Sequence, residues 1–451
     1  MYIGNVLADG IDITGTTLFA PQYVSPRSVQ MNIGLQHEIR RGTIVTTDYL
    51  RNVSTHNLLS IDTNHTGDAR FFNLANAQAA IAATNASFGC NDVNCAMTRG
   101  ATITNYASNG LDSGYSVCGG MPCFLLDQPG QPHARAAFPG INQSVGANTM
   151  LFPIGRSVYN GLQTSLRQNM QNPLPGIKYL NLQVSYAFSR YVSTARDNDF
   201  INFPTDNASP TKYVGPNGLD RTHQLSFGGT MDLARSFRLS LISHFDSPLP
   251  SSVTLPVSGL PGGLFQTDVT GDGTFGSNGG LGDLLPRTNV GGFGRSFGVG
   301  GLNQLITSYN NTVVGQPTPA GQVLINNGLF TLAQLQQLGG VIGGLSTGGF
   351  AALPLAPAGA VGQAWLKTFD LSMSWAYRFR ERLELRPGVS IFNLFNLANF
   401  DGPVAPFSTI LDGTPGSPNG TRNPQPNDLR LGLGSGVNAL GSPRAIEFSL
   451  K

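Results

Sequence analysis

Charged residues are scarce in this chain of 451 residues, and long apolar runs are missing from it. Asp, Glu, Lys and Arg make up 12% of the sequence, against roughly 25% in ordinary globular domains. No stretch approaches the roughly 18 uninterrupted apolar residues that indicate a membrane-spanning helix. The formal net charge is +2 and no basic cluster is present, which argues against nucleic acid as a partner. The composition therefore fits neither a typical soluble domain nor a helical membrane protein.

Recognisable export signals are also missing. The first residues, MYIG, include no basic segment, apolar segment or cleavage site, so no secretory signal peptide can be identified. The last residues, 444–451, read as a strand that ends without a terminal aromatic residue. We therefore expect that the precursor begins upstream of Met1, or that the start is misassigned, and that a few residues follow Lys451.

Long segments of alternating apolar and polar residues recur along the chain. The clearest are residues 29–39, 180–189 and 369–380. Alternation with a period of two indicates a strand whose two faces meet different surroundings. The polar positions hold mostly uncharged Ser, Asn, Gln, Thr and Gly, as lumen-facing positions of outer-membrane barrels do, while the apolar positions of such barrels meet lipid. Because lipid cannot satisfy open backbone groups, a membrane protein without apolar helices has to form a closed barrel.

The alternation predicts an all-β fold: about ten antiparallel strands of a partial transmembrane β-barrel in the bacterial outer membrane, with membrane lipid as a partner. Short turns alternate with long segments at 54–155 and 247–362, which we expect to be extracellular loops. In the second loop only residues 329–338 have a helical pattern. A soluble β-sandwich is the alternative, although structureless connections of this length are uncommon in compact domains. The predicted strands are residues 28–40, 42–53, 159–170, 177–192, 223–234, 237–245, 365–380, 383–395, 429–434 and 445–451.

Four short motifs follow one another in an order and spacing typical of one family. They are residues 157–163 (SVYNGLQ), 184–190 (VSYAFSR), 220–223 (DRTH) and 392–400 (FNLFNLANF). With them the sequence resembles the TonB-dependent outer-membrane receptors of the Oar-like group, whose patterns are S-x-Y-x-x-L-Q, Y-x-x-S-[KR], D-x-R-H and F-N-x-x-N-x-x-N-F. In the third motif the Arg stands one place early. The resemblance extends over residues 28–451.

This resemblance implies a large barrel of the 22-stranded plugged class. Such receptors carry an N-terminal plug, a segment that contacts TonB and often a carboxypeptidase-regulatory-like domain, none of which is recognisable here. Residues 1–451 therefore resemble the C-terminal portion of a receptor barrel. The resemblance implies uptake of an unidentified solute, with the TonB system as a partner through the missing plug region. A structural or adhesive surface barrel without active transport is the alternative, because long loops would serve it equally well.

The chain has four cysteines, all within the first long loop: Cys90, Cys95, Cys118 and Cys123. In an exported protein an even number of cysteines indicates disulfides. Two bridges are expected, and four cysteines allow three pairings. A zinc site with four thiolate ligands is the alternative, although such sites belong mainly to reducing compartments.

Three aspartates in the second long loop form a candidate metal site. Asp268, Asp272 and Asp283 are close enough in sequence to share a hard cation such as Ca²⁺. The segment departs from an EF-hand loop, because Thr270 occupies the middle ligand position and no Glu closes the ring. A solvated Asp-Gly turn is the alternative. No other cofactor is expected, and we expect no enzymatic activity, because no catalytic constellation occurs in a usable context.

Overall fold

The described part of the chain forms one large, mainly antiparallel sheet. At one end of that sheet, the long loops form a domain of helices and irregular segments. None of the helices in the described part has the length and hydropathy needed to traverse a bilayer. The computed structural model describes residues 18–113, 117–118, 121–122, 136–143, 147–194, 201–202, 204–255, 261–273, 283–356, 365–379, 383–397, 399 and 444–451.

Nine strands follow one another in the sheet, each hydrogen-bonded antiparallel to its neighbours in sequence. Short segments extend it at Leu18–Phe19, Ile201–Asn202 and Gly215–Pro216, and two further pairs join Val117–Cys118 with Met121–Pro122 and Tyr377–Phe379 with Leu383–Leu385. The nine strands are β1 (Arg27–Arg40), β2 (Thr43–Asp62), β3 (Thr149–Leu174), β4 (Ile177–Ser193), β5 (His223–Leu233), β6 (Phe237–Asp246), β7 (Leu366–Trp375), β8 (Pro387–Phe392) and β9 (Ala445–Leu450).

The register of the strands gives the sheet one apolar and one polar face. Between β4 and β5, Phe227 lies opposite Val184 on the apolar face. The preceding residue, Ser226, lies opposite Ser185 on the polar face. Large apolar side chains on the strands are open to the surroundings, which would favour aggregation in water and is required in lipid. The most exposed of them are Ile33 at 74%, Leu35 at 73%, Leu450 at 72% and Phe448 at 81%.

The sheet is open in the described part, because β1 and β9 each have one long neighbour. A bilayer offers no hydrogen-bond partner to their free N–H and C=O groups. Residence in the membrane therefore requires further pairing at both edges. The predicted strand at residues 429–434 lies outside the described residues, whereas the other nine predicted strands are present.

The predicted boundaries of the first long loop are wrong. Residues 54–155 were expected to be loop, but β2 continues to Asp62 and β3 already begins at Thr149, so the loop spans residues 63–148. Pairing between these strands shifts register between Thr55 and Asn57 and again before Leu59, which marks bulges. A bulge adds an unpaired residue and breaks the alternation while pairing continues. The period of two therefore ends before the strand does.

Asparagines of the fourth sequence motif close the turn after β8. The side chain of Asn393 accepts a hydrogen bond from the N–H of Leu397 at 2.8 Å and donates to its carbonyl at 3.0 Å. Asn393 and Asn396 have φ angles of 48° and 51°, a left-handed conformation that asparagine adopts more readily than most residues. Asn399 pairs with the backbone of Lys367 in β7. This spacing of asparagines therefore has a structural role.

The long loops contain seven α-helices in the described part, although the sequence indicated a helical pattern only at residues 329–338. Together they form a loop domain, defined here as residues 63–113, 136–143, 204–222, 247–255, 261–273 and 283–356. Its helices are α1 (Leu74–Ser87), α2 (Val93–Thr98), α3 (Ile103–Tyr106), followed by a π-helical turn at Ala107–Leu111, α4 (Gly263–Gln266), α5 (Val299–Thr312), α6 (Pro319–Asn326) and α7 (Leu332–Leu338).

Most of the buried apolar residues lie in this loop domain. Its first core joins the two longest loops: the ring of Tyr106 meets that of Phe330 at 5.4 Å, and Phe138 meets Phe265 at 6.1 Å. A second core lies within the loop that follows β6. The buried members of that second core are Val253, Leu255, Leu285, Phe293, Leu302, Ile306, Tyr309, Ile342, Leu353 and Ala356.

Side-chain caps explain where several of these helices begin. Asn73 and Asp92 accept hydrogen bonds from the first turns of α1 and α2, and Thr318 does so for α6. At α7, Thr331 and Gln334 form a reciprocal capping box. Each cap satisfies an N–H group that the helix leaves free, which stabilises a helix by about 1 kcal/mol.

The two faces of β4 should tolerate charge very differently. Leu182 lies on the apolar face and its neighbour Gln183 on the polar face. We predict that Leu182→Arg destabilises the folded barrel by roughly 2 to 4 kcal/mol and that Gln183→Arg costs much less. Urea unfolding in lipid vesicles measures both changes. Equal losses on the two faces would contradict a lipid-facing sheet.

Candidate functional site

The three predicted aspartates come together inside the loop domain. One carboxylate oxygen from each of Asp268, Asp272 and Asp283 lies within 4.8 Å of the other two. Their exposed fractions are 0%, 3% and 0%, so all three are removed from solvent. Carboxylates this close repel one another when ionised, and burial strengthens that repulsion. The cluster therefore requires either protons or a cation.

Thr270 lies at the centre of the cluster. Its hydroxyl oxygen is 2.9 Å from Asp272 Oδ1, 3.3 Å from Asp268 Oδ1 and 3.1 Å from Asp283 Oδ1. A hydroxyl has one hydrogen to donate, so it cannot serve three carboxylates at once. Its oxygen lies within 3.3 Å of an oxygen of each carboxylate, and Thr270 is therefore a fourth oxygen of the site.

Backbone N–H groups hold the carboxylates in place. Asp268 accepts from the N–H of Gly271 at 2.6 Å and from that of Gly273 at 3.0 Å, and Asp283 accepts from the N–H of Thr270 at 2.8 Å. Gly271 and Gly273 have φ angles of 74° and 85°, which residues with a Cβ rarely adopt. The Thr-Gly-Asp-Gly sequence thus folds into a turn around the Asp268 side chain.

Hydrogen bonds around the site connect the loops before β3, before β5 and after β6 with the end of β2. The backbone N–H of Asn207, in the loop before β5, donates to Asp272. Its side-chain amide pairs with the backbone of Asp62, the last residue of β2, at 2.9 and 2.8 Å. The N–H of Ala69 donates to the carbonyl of Gly271 at 2.9 Å. The sequence does not point to Asn207, because this residue is remote from the three aspartates along the chain.

The electrostatics of the cluster favour neutralisation. Burial, together with the charge of Asp272, raises the pKa of Asp283 to about 8. Burial also raises the pKa of Asp268 well above its ordinary value, and the charges of Asp283 and Asp272 add to this. In the described part of the chain, neither of these two carboxylates has an ion pair with Lys or Arg. The nearby guanidinium of Arg70 is bound to Asp68.

A buried ion pair links another part of the loop domain to the sheet. Arg295 Nε donates to Asp220 Oδ2 at 2.7 Å, and the same guanidinium donates to the carbonyl of Pro248 at 2.8 Å. Asp220 also accepts from the N–H of Tyr191 in β4 at 2.6 Å. Asp220 belongs to the third sequence motif, so this motif anchors the loop after β6 at the start of β5.

One of the two expected disulfides falls within the described residues. Cys90 and Cys95 are bonded to each other across the connection between α1 and α2. Cys118 lies in the short strand Val117–Cys118, whose side chains are not described, and Cys123 lies outside the described residues. The pairing of Cys118 and Cys123 therefore stays a prediction.

Comparison with known proteins indicates an outer-membrane barrel. A family model described as "Outer membrane beta barrel domain" matches residues 7–244. No curated protein sequence matches the chain. Among solved structures, the outer membrane transporter YddB from Escherichia coli is similar with a TM-score of 0.36 and 6% sequence identity. The similarity covers 86% of this chain and 31% of the transporter, so the chain spans about a third of that protein's length.

The state of the cysteines can be tested by thiol labelling. We predict no free sulfhydryl at Cys90, Cys95, Cys118 or Cys123 in the denatured, unreduced chain, and four after reduction. Replacing both Cys90 and Cys95 by Ala should cost about 2 kcal/mol of loop-domain stability, because this bridge closes a short loop. Four reactive thiols together with bound zinc would contradict the disulfide assignment.

The buried aspartates predict a pH dependence of the loop domain. An unfolded chain releases the Asp283 proton near pH 3.8, whereas the folded domain holds it up to about 8. Because the folded state binds more protons in this window, its free energy of unfolding should fall as pH rises from about 4 to 8, by up to about 1.4 kcal/mol per pH unit for one group. Thermal unfolding with a chelator present measures the slope. Asp283→Asn should flatten it, and a flat profile in the unmodified protein would contradict the prediction.

Proposed function

The chain belongs to the outer membrane beta barrel domain family and resides in the bacterial outer membrane, and from this premise we propose that it forms part of a TonB-dependent receptor that takes up a solute. In this proposal the apolar face of the sheet meets lipid and the polar face lines the lumen. The loop domain recognises the solute outside the cell. The TonB system supplies the energy for uptake. The chain acts by binding and transport and catalyses no reaction.

The ordered loop domain is the observation that carries this proposal. Loops that merely connect strands need no apolar core, yet here two cores are built from the segments between strands. Ordering so many loop residues costs conformational entropy that burial has to offset. A fixed surface at the mouth of a barrel is what selective recognition requires, because pre-ordered groups lose less entropy on binding. Long surface loops are also where binding residues are usually found.

Uptake can be tested without knowing the solute. Spent medium from the producing bacterium is compared by mass spectrometry with that of a strain lacking this gene and a strain lacking TonB. We predict that a common set of solutes stays unconsumed in both mutants and that the intact gene restores their uptake. Unchanged consumption in the gene deletion, combined with weaker attachment to surfaces, would favour the adhesive surface barrel instead.

We also propose that the aspartate cluster binds Ca²⁺. Three carboxylates and the Thr270 hydroxyl supply oxygen ligands, the kind that Ca²⁺ prefers in proteins. A bound cation would neutralise the repulsion among Asp268, Asp272 and Asp283, and it would join the loops that meet there. In this proposal the loop domain lies outside the cell, where dissociation constants of about 0.1 to 1 mM are usual for calcium-binding modules.

The calcium proposal is tested by thermal unfolding at pH 8 with Ca²⁺ or with a chelator. Ca²⁺ at about 100 times its dissociation constant should stabilise the loop domain by about 2.7 kcal/mol. The double variant Asp272→Asn with Asp283→Asn should lose this response. Asp92→Asn is the matched control, because it removes a carboxylate from the same domain and leaves a residue that also caps α2. An equal response in all three proteins, or none in the unmodified protein, would leave the segment an ordinary turn.

A further inference from the structure

A cavity opens beside the aspartate cluster, and Thr270 forms part of its lining. Its volume is about 680 Å³, which is within the range of pockets that hold small-molecule ligands. It is formed by the loop before β5 and by the loop after β6, so its walls come from parts of the chain that are far apart in sequence. Its lining includes Lys212, Val269, Leu284, Arg287, Val313 and Ile342.

Two cationic side chains at the cavity, Arg287 and Lys212, are more exposed to solvent than its anionic side chain, Asp206. Arg287 is exposed, and its guanidinium donates to the Ser308 hydroxyl at 3.3 Å without a carboxylate partner among the described residues. Lys212 is paired with Asp206 at 3.4 Å, and its side chain remains 55% exposed. The Asp206 side chain is 6% exposed, so a solute entering the cavity meets positive charge first.

Arg287 is held in an uncommon backbone conformation. Its φ angle is 70°, in the left-handed region that residues with a Cβ rarely adopt. The residues before it are buried: Leu284 and Leu285 are 5% and 1% exposed. Packing of these two leucines therefore fixes the backbone that presents the guanidinium. Uncommon backbone conformations of this kind cluster at binding sites.

Half of the residues that line the cavity are apolar, and they form a continuous part of its lining with the second core behind it. Val269, Val313 and Ile342 contribute side chains that belong to or pack against the second core of the loop domain. Pro317 and Pro319 add further rigid apolar surface. Small-molecule sites combine apolar surface, which supplies affinity, with fixed polar groups, which supply orientation, and this cavity offers both.

We propose that this cavity binds solutes that carry a carboxylate on an apolar body, with Arg287 as the main partner of the carboxylate and Lys212 as a secondary one. Arginine suits this role because its planar guanidinium can donate two parallel hydrogen bonds to a carboxylate. The inference rests on the proposed function, since it names the class of solute that the loop domain would recognise.

The test is a calorimetric titration of the full-length protein in detergent with N-acetyl-leucyl-leucine, and with the carboxamide of the same compound. The free carboxylate should bind at least five times more tightly than the amide. Arg287→Gln should lower the affinity for the carboxylate about five- to tenfold and leave that for the amide unchanged. Arg235→Gln is the matched control, because Arg235 is also exposed with a φ angle of 59° but lies in the turn between β5 and β6. It should change the affinity less than twofold.

Equal binding of the two compounds, no binding of either, or equal losses in the two arginine variants would overturn the proposal. Heat-modifiable migration on gels establishes that each variant is folded. The titration measures binding alone, so its failure can be told from failure of the proposed function. If the solutes of the uptake experiment are still left unconsumed by the gene deletion while this titration fails, the receptor assignment stands and this cavity is not its binding site.

Discussion

The bilayer's inability to hydrogen-bond with a protein backbone is the constraint on which the structure depends. Each strand that crosses lipid has to pair its N–H and C=O groups with neighbouring strands. This requirement produces the antiparallel path from β1 to β9 and turns apolar residues such as Ile33 and Phe448 outward. The opposite face is left polar. A wall that is apolar towards lipid and polar towards the lumen has no interior of its own in which to bury side chains.

The apolar core lies instead in the loops, and its packing also buries charged residues. Residues from two distant segments, such as Tyr106 and Phe330, pack against each other and fix the loops between the strands. Burial then extends to polar groups at the junction with β2. There Asp268, Asp272 and Asp283 are enclosed together, with Thr270 among them. The same packing that orders the loop domain thus creates a cluster of carboxylates that needs neutralising, and it sets the cavity beside that cluster.

The sequence predicted the sheet well and the loop domain poorly. Alternation located the strands, because each has one lipid face, but it failed beyond Thr55, where bulges interrupt a strand that continues to Asp62. Alternation and helical periodicity did not predict the helix at residues 74–87, because this segment is rich in small residues and shows no clear apolar stripe. Their caps, such as Asn73, were the available signal. The three aspartates were predicted from spacing alone, whereas Asn207 could not be, since only the fold brings it to them.

Hydrogen–deuterium exchange of the intact protein in lipid vesicles, read by mass spectrometry, tests whether the long loops form one ordered domain on an outer-membrane barrel. Amides in α1, α5 and α6 should exchange far more slowly than those of unstructured peptides, and they should become exposed together when the domain opens. Exchange of these segments at unprotected rates, while the amides of β4 and β5 stay protected, would show instead that the loops are unstructured connections between strands.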